Sequence, residues 1–443
     1  MSESLKIALL GYRSHPFVGG QGIYLRYLSK ALVEAGHQVD VISGPPYPDL
    51  DPRVNLVEIP SLNLFEAKSH HAWALRPRHL KSFSDVFEWF SMLTGGFAEP
   101  YTFSRRVAKY MKQHGHHYDL IHDNQCLGHG LLTMQKMGLP VVATIHHPIT
   151  RDRELAVQAA PNWYHRLLVR RWHNFLRMQK KVARNLNHVV TVSEQSRVDI
   201  STDFDLPVSG IKLIYNGIDT ETFRPMEGVS RQPYRIITTA SADEPMKGLR
   251  FLIKAVAELK PDYSQLELMV VGKLKERGQT EALLKSLKLE DSVRFVSGIS
   301  TEQLVHYYNE ATLAVSPSLY EGFGLPAGEA MSCGTPVISS DGGALPEVIG
   351  DAGYITPAGN SNALASAMRE LLENPERRAQ LSQLGRKRIE ETFSWEVAAK
   401  QFTAYYHKIL NQDKQTETTV PREASSDVVG AINAQQVYVH ANN

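Results

Sequence analysis

The sequence predicts an α/β protein of two doubly wound halves, and three observations carry that reading. Residues 5–10 form an apolar strand, Ile23, Tyr27, Leu28 and Ala31 recur at helical spacing before Gly36, and residues 38–42 form the next strand. The same grammar restarts at residues 235–239, followed by a helix with Leu249, Leu252, Ile253 and Val256 on one face and a strand over 266–271. The length of 443 residues suits two domains.

The boundary falls where Asn216-Gly-Ile-Asp-Thr-Glu-Thr-Phe-Arg-Pro is polar and turn-rich, which gives a first domain over 1–216, a linker over 217–233 and a second domain over 234–393. Ser394 suits a helix N-cap and opens a helix over 394–411. Residues 412–443 are polar and poor in large apolar side chains, and a disordered tail is expected there.

Composition is globular, with 42% hydrophobic and 21% charged residues. A formal net charge of +1 supplies no global attraction to nucleic acid, and no nucleic-acid partner is expected. Cys126 and Cys333 lie far apart without metal-ligand spacing, which fits a reducing compartment. The first residues show no basic stretch followed by a long apolar run, and no window approaches the length of a spanning helix, so a cytoplasmic protein is expected.

The most informative stretch runs from Leu313 to Ile338. Leu313 to Ser316 reads as a buried strand ended by Pro317, after which the chain turns through Glu321-Gly-Phe-Gly324. Pro326 near its start and Gly334 just past its end delimit a helix of about two turns. Glu321 then lies in a loop at the carboxyl end of a strand and Glu329 on the following helix, both facing the place where open parallel sheets bind ligands. Gly322 and Gly324 allow close backbone approach, and the loop reads as a sugar or phosphate cradle.

The string Glu-Gly-Phe-Gly-Leu-Pro-x-x-Glu-Ala-Met-x-x-Gly-x-Pro-Val resembles the signature of the retaining family 4 glycosyltransferases of the GT-B fold. The resemblance covers roughly residues 5–410 and is weakest over 62–117. It implies two Rossmann-like domains facing each other across a cleft, with the helix at 394–411 crossing back onto the first. It further implies that Glu321 faces the donor sugar and diphosphate, that Glu329 accepts hydrogen bonds from ribose hydroxyls, and that Gly322 and the amides of Phe323, Gly324 and Leu325 hold the sugar.

Transfer from a nucleotide sugar requires stabilisation of the charge that builds on the departing diphosphate. Asp49 and Asp51 form a carboxylate pair in a Pro-rich loop and read as a solvated turn, so no metal is expected and no cofactor beyond the nucleoside diphosphate sugar itself. Lys247, in Asp243-Glu-Pro-Met-Lys-Gly-Leu, resembles the family lysine that contacts the diphosphate. The family pattern has an arginine six residues earlier, where this chain has Ser241; Lys273 and Arg13 are the candidate replacements. Gly19, Gly20 and Gly22 resemble the family's amino-terminal glycine loop and do not match G-x-G-x-x-G, which disfavours a nicotinamide cofactor. His146, closing Val141-Val-Ala-Thr-Ile-His, resembles the family histidine that contacts the transferred sugar. Ser193, Glu194 and Asn216 fall in strings similar to the family's Thr-Val-Ser-Glu and Asn-Gly-Ile-Asp, which implies that they shape hinge and cleft.

From Trp163 to Arg184 there are seven Lys or Arg and no Asp or Glu. Arg166, Arg170, Arg177 and Arg184 share one helical face and Leu168, Trp172 and Phe175 another, a pattern that fits either an ordinary surface helix or peripheral contact with an anionic membrane. The expected activity is retaining transfer of a sugar from a nucleoside diphosphate to a saccharide, lipid-linked or small-molecule hydroxyl. The competing readings are a nucleotide-sugar epimerase or hydrolase on the same fold and a catalytically weak nucleotide-sugar-binding subunit.

Overall fold

The computed structural model describes residues 3–15, 20–66 and 75–419. Gly19 and residues 420–443 of the expected tail lie outside the described residues.

Two parallel sheets organise the chain. The first contains β1 (Lys6–Gly11), β2 (Gln38–Ser43), β3 (Asn55–Glu58), β4 (Leu120–Asn124), β5 (Val141–Ile145), β6 (His188–Thr191) and β7 (Ile211–Leu213), in the order β3-β2-β1-β4-β5-β6-β7. The second contains β8 (Gln232–Thr239), β9 (Glu267–Val271), β10 (Val293–Val296), β11 (Ala311–Ser316), β12 (Val337–Ser340) and β13 (Tyr354–Thr356), in the order β10-β9-β8-β11-β12-β13. β4 and β5 are buried at every residue, as helices on both faces of a parallel sheet require. The strand order reverses between β1 and β4 and between β8 and β11, and these crevices face the cleft.

The chain crosses between the domains twice, side by side. The Ile218 amide donates to the Phe393 carbonyl at 2.6 Å, and a Cβ on Gly217 would sit 2.2 Å from the Trp395 ring, so only glycine fits beneath that indole. The Ser394 hydroxyl accepts from the Val397 amide at 3.2 Å and starts the helix Trp395–Thr419. Trp395, Phe402, Tyr406 and Ile409 of this helix share one buried core with Leu5, Ile7, Leu9 and Leu28 of the first domain. His122 on β4 bonds Tyr406 Oη through Nδ1 and Thr144 Oγ1 through Nε2, both at 2.6 Å.

Three boundaries differ from the sequence reading. Residues 412–419 are helical, because no proline or glycine interrupts the chain before Pro421. β8 begins at Gln232, inside the expected linker. The basic stretch is two helices, Trp163–Trp172 and Phe175–Ala183, so one continuous face does not form. The Trp172 and Phe175 rings pack on Phe97, with centroids 5.1 and 5.5 Å away, and Arg184 pairs with Asp205 at 2.6 Å.

Candidate active site

An open cavity of about 510 Å³ lies between the domains, and the carboxyl ends of both sheets contribute to it. Gly20, Tyr24 and His146 line it from the first domain; Lys247, Glu321, Gly322, Phe323, Gly324, Leu325 and Glu329 line it from the second. The cleft therefore gathers the motif at 321–329, the lysine after β8 and the histidine after β5, residues far apart in sequence.

Glu321 is fixed from three sides. Its Oε1 accepts from Lys247 Nζ at 2.9 Å and from the Ser318 hydroxyl at 2.7 Å, while its carbonyl accepts from the Ala344 amide at 2.9 Å. The Ser318 carbonyl is in turn held by the Ser340 hydroxyl. Gly343, at φ +66°, closes this turn; a Cβ there would lie 2.3 Å from the Glu321 carbonyl oxygen. The Lys247 loop is set by Gly248, also at φ +66°, which lets the backbone pass Pro317 where a Cβ would meet its carbonyl at 2.0 Å.

Glu329 sits on the short helix Leu325–Ser332, in the crevice beneath the cavity. Burial pushes its carboxyl up to about 7, a hydrogen bond with the Tyr308 hydroxyl opposing that rise. Tyr308 is itself buried and shares its hydroxyl with Thr239 at 2.9 Å.

His146 forms the opposite wall. Asn124 Nδ2 donates to the Gln21 carbonyl at 3.1 Å, so Asn124 Oδ1 faces His146 and accepts from Nε2–H at 2.6 Å, leaving Nδ1 as the acceptor. Burial, with a smaller contribution from His147, pulls the imidazole down to about 3, and it is neutral near pH 7. Its ring meets the Tyr24 ring edge-on at 4.6 Å, and its amide donates to Gln125 Oε1 at 2.7 Å. Asn124, Gln125, Gly343 and Tyr308 carry no motif in the sequence; only the fold brings them here.

Among the described residues, the remaining expected ones other than Asn216 do not line this cavity. Gly22 packs against the loop before it, where a Cβ would lie 2.2 Å from the His15 carbonyl oxygen, and serves close packing. Ser241 and Lys273 are exposed at the ends of β8 and β9. Arg13 is held by Glu66 at 3.3 Å and Glu99 at 3.2 Å. Asp49 and Asp51 pair with Arg26 and Arg53 at 2.9 and 2.8 Å. Hydroxyls of Ser193 and Ser196 in the first domain reach the Gly322 carbonyl in the second at 2.7 and 3.2 Å. Glu347 of the second domain accepts from the amides of Glu194 and Gln195, at the start of a first-domain helix, at 2.7 and 2.8 Å.

Two parallel α/β domains with convergent carboxylates, a lysine and a histidine across their cleft define a glycosyltransferase of the GT-B architecture. Residues 221–388 match the family model of glycosyl transferases group 1 and residues 18–222 that of glycosyltransferase family 4. The chain is 46% identical over 411 residues to the MMP alpha-(1->4)-mannosyltransferase of Mycolicibacterium hassiacum, covering 92% of this chain and 98% of that one. It belongs to this glycosyltransferase family. A D-inositol 3-phosphate glycosyltransferase of Kineococcus radiotolerans is 26% identical over 68% of this chain and 74% of its own. Among solved structures, sucrose-phosphate synthase from Thermosynechococcus elongatus superposes with a TM-score of 0.67 at 25% identity, over 92% of this chain and 100% of that one. Transfer of a sugar to an acceptor is thus the activity, in preference to epimerisation, hydrolysis or mere binding. No described helix is long and apolar enough to cross a membrane.

Proposed function

We propose that the enzyme transfers a mannosyl group from a nucleoside diphosphate sugar to a hydroxyl of a saccharide acceptor, with retention at the anomeric carbon and without a metal ion. The carrying observation is the Lys247–Glu321 pair, at 2.9 Å, placed in one cavity with Glu329 and His146. The 46% identity to a protein named as an α-(1→4)-mannosyltransferase supports mannose and that linkage.

In this reading the bond between the anomeric carbon and the diphosphate oxygen breaks with its electron pair going to the diphosphate, where Lys247 and the first amides of the helix Leu325–Ser332 oppose the growing charge. Glu329 holds the ribose, and Glu321 with the turn Gly322–Leu325 holds the sugar. Neutral His146 presents an acceptor nitrogen to a sugar hydroxyl on the far wall. The new bond from the acceptor oxygen forms on the face the diphosphate leaves, and the acceptor's hydroxyl proton passes to the departing diphosphate oxygen.

The test is nucleoside diphosphate release from GDP-, UDP- and ADP-mannose, with and without a manno-oligosaccharide, followed by proton NMR of the product. Acceptor-dependent release, an α-linked product and insensitivity to EDTA are expected. Release that ignores the acceptor, a β-linked product or loss of turnover in EDTA would each remove the corresponding part of the reading.

A second reading concerns location: we propose peripheral contact with an anionic membrane. Phe83, Phe90, Trp163 and Leu167 are 56%, 57%, 75% and 55% exposed, on two helices joined where Arg171 donates to Thr94 Oγ1 at 3.1 Å. The carboxylates of the first helix, Asp85 and Glu88, are both paired with Arg106, and the second helix adds the exposed Arg166 and Arg170. Sedimentation with phosphatidylglycerol vesicles, but not phosphatidylcholine vesicles, is expected. Equal behaviour with both, or a dimer broken by Leu167→Glu, would assign the face to something else.

A further inference from the structure

The cavity presents one lysine to the departing diphosphate, and that lysine is already shared with Glu321 at 2.9 Å. A diphosphate leaving group carries more charge than one partly neutralised cation balances. The loop after β8, which carries Lys247, is joined along its length to the loop after β9. Parallel pairing aligns Thr239 with Val271, and it continues past the strand ends, where the Ala240 amide donates to the Val271 carbonyl at 3.3 Å. Gly272 packs so closely that a Cβ would lie 2.3 Å from the Ala240 carbonyl oxygen and 3.6 Å from Ser241 Cα. Further on, Asp243 Oδ1 accepts from the Thr280 amide at 2.7 Å and its hydroxyl at 2.9 Å.

Two residues past the paired Thr239 and Val271 stand Ser241 and Lys273, leaving neighbouring strands at one level. Adjacent strands are about 4.8 Å apart, a gap that the four-carbon stem of a lysine spans. Lys273 is exposed and carries no hydrogen bond or ion pair among the described residues, so its ammonium is available. We infer that Lys273 supplies the second cation of the diphosphate site, reaching from the end of β9 over Ser241. The small side chain at 241 leaves that path open. The inference rests on the donor reading above and adds to it the residue that completes the phosphate site.

The test is calorimetric binding of GDP, UDP and ADP, alongside the corresponding nucleosides, to the wild type, Lys273→Ala, Lys275→Ala and the double variant Ser241→Arg/Lys273→Ala. Lys273→Ala is expected to lower diphosphate affinity about tenfold to a hundredfold, the scale of a charged hydrogen bond, with nucleoside affinity unchanged. Lys275→Ala should change little, and Ser241→Arg should restore most of the loss. Because Lys273 is solvent-exposed, its removal leaves the melting temperature in place. Undiminished diphosphate binding in Lys273→Ala, an equal loss for nucleosides, or no recovery in the double variant overturns the inference while the donor reading stands. A wild type that binds none of the three diphosphates overturns both.

Discussion

Lys247 Nζ lies 2.9 Å from Glu321 Oε1, which joins the loop after β8 to the loop after β11 across the crevice where the strand order reverses. The two side chains are 30% and 15% exposed, so the pair is reachable by a ligand and contributes little to folding. Lys247→Ala is therefore expected to reduce kcat by about a hundredfold to a thousandfold, the scale of one lost charge-stabilising donor. Steady-state kinetics beside a thermal melt checks this; a matching collapse of the melting temperature would mean the lysine is structural.

Glu329 gives the enzyme a pH signature. Its folded carboxyl titrates at about 7 against the usual 4.5, so it holds its proton more tightly folded than unfolded, and the unliganded protein loses stability as pH rises through that window. Glu329→Gln should melt above the wild type at pH 8, with the difference shrinking towards pH 4.5. Ribose hydroxyls favour the ionised form, so wild-type nucleoside affinity should climb as pH rises through about 7, while the Gln variant stays flat. Parallel pH profiles for the two proteins would discard the assignment.

Gly343→Ala places a methyl group where the Glu321 carbonyl now lies, at a backbone angle that L side chains rarely adopt. A stability loss of about 1–3 kcal/mol is expected, with a fall in kcat because Glu321 moves with its turn. Urea denaturation and kinetics on one preparation test both effects; unchanged kcat would show that the carboxylate tolerates the displacement.

How much of this was legible in the sequence depended on whether a signal was local. Strand-helix periodicity and the 321–329 motif are local, and Glu321, Glu329, Lys247 and His146 do meet in one cavity. Asn124, which fixes the His146 tautomer, and Tyr308, which contacts Glu329, lie on other elements and become partners only through strand order. The break at 173–174 was hidden because helical spacing continues through it, whereas packing of Trp172 and Phe175 on Phe97 decides the geometry. Gly22 looked like a phosphate loop residue, yet the His15 carbonyl claims its bare face.

Tyr406→Phe removes a hydroxyl from a buried chain in which burial pulls His122 down to about 3, so that residue stays neutral and needs both ring partners. A loss of about 1–3 kcal/mol in urea denaturation is expected, with kcat little changed, since Tyr406 does not itself line the cavity. A fall in kcat without a fall in stability would contradict this division.

The same helix bears on the order in which the molecule is made. The strands of the first sheet leave the ribosome early, but Phe402, Tyr406 and Ile409, which finish their core, are synthesised only after the whole second domain. The amino-terminal half must therefore wait, with an apolar flank open, until the helix that follows the second domain has been made. A chain ending just before Trp395 should display a second domain resistant to protease beside a first domain still susceptible, the reverse of the order in which the two are translated.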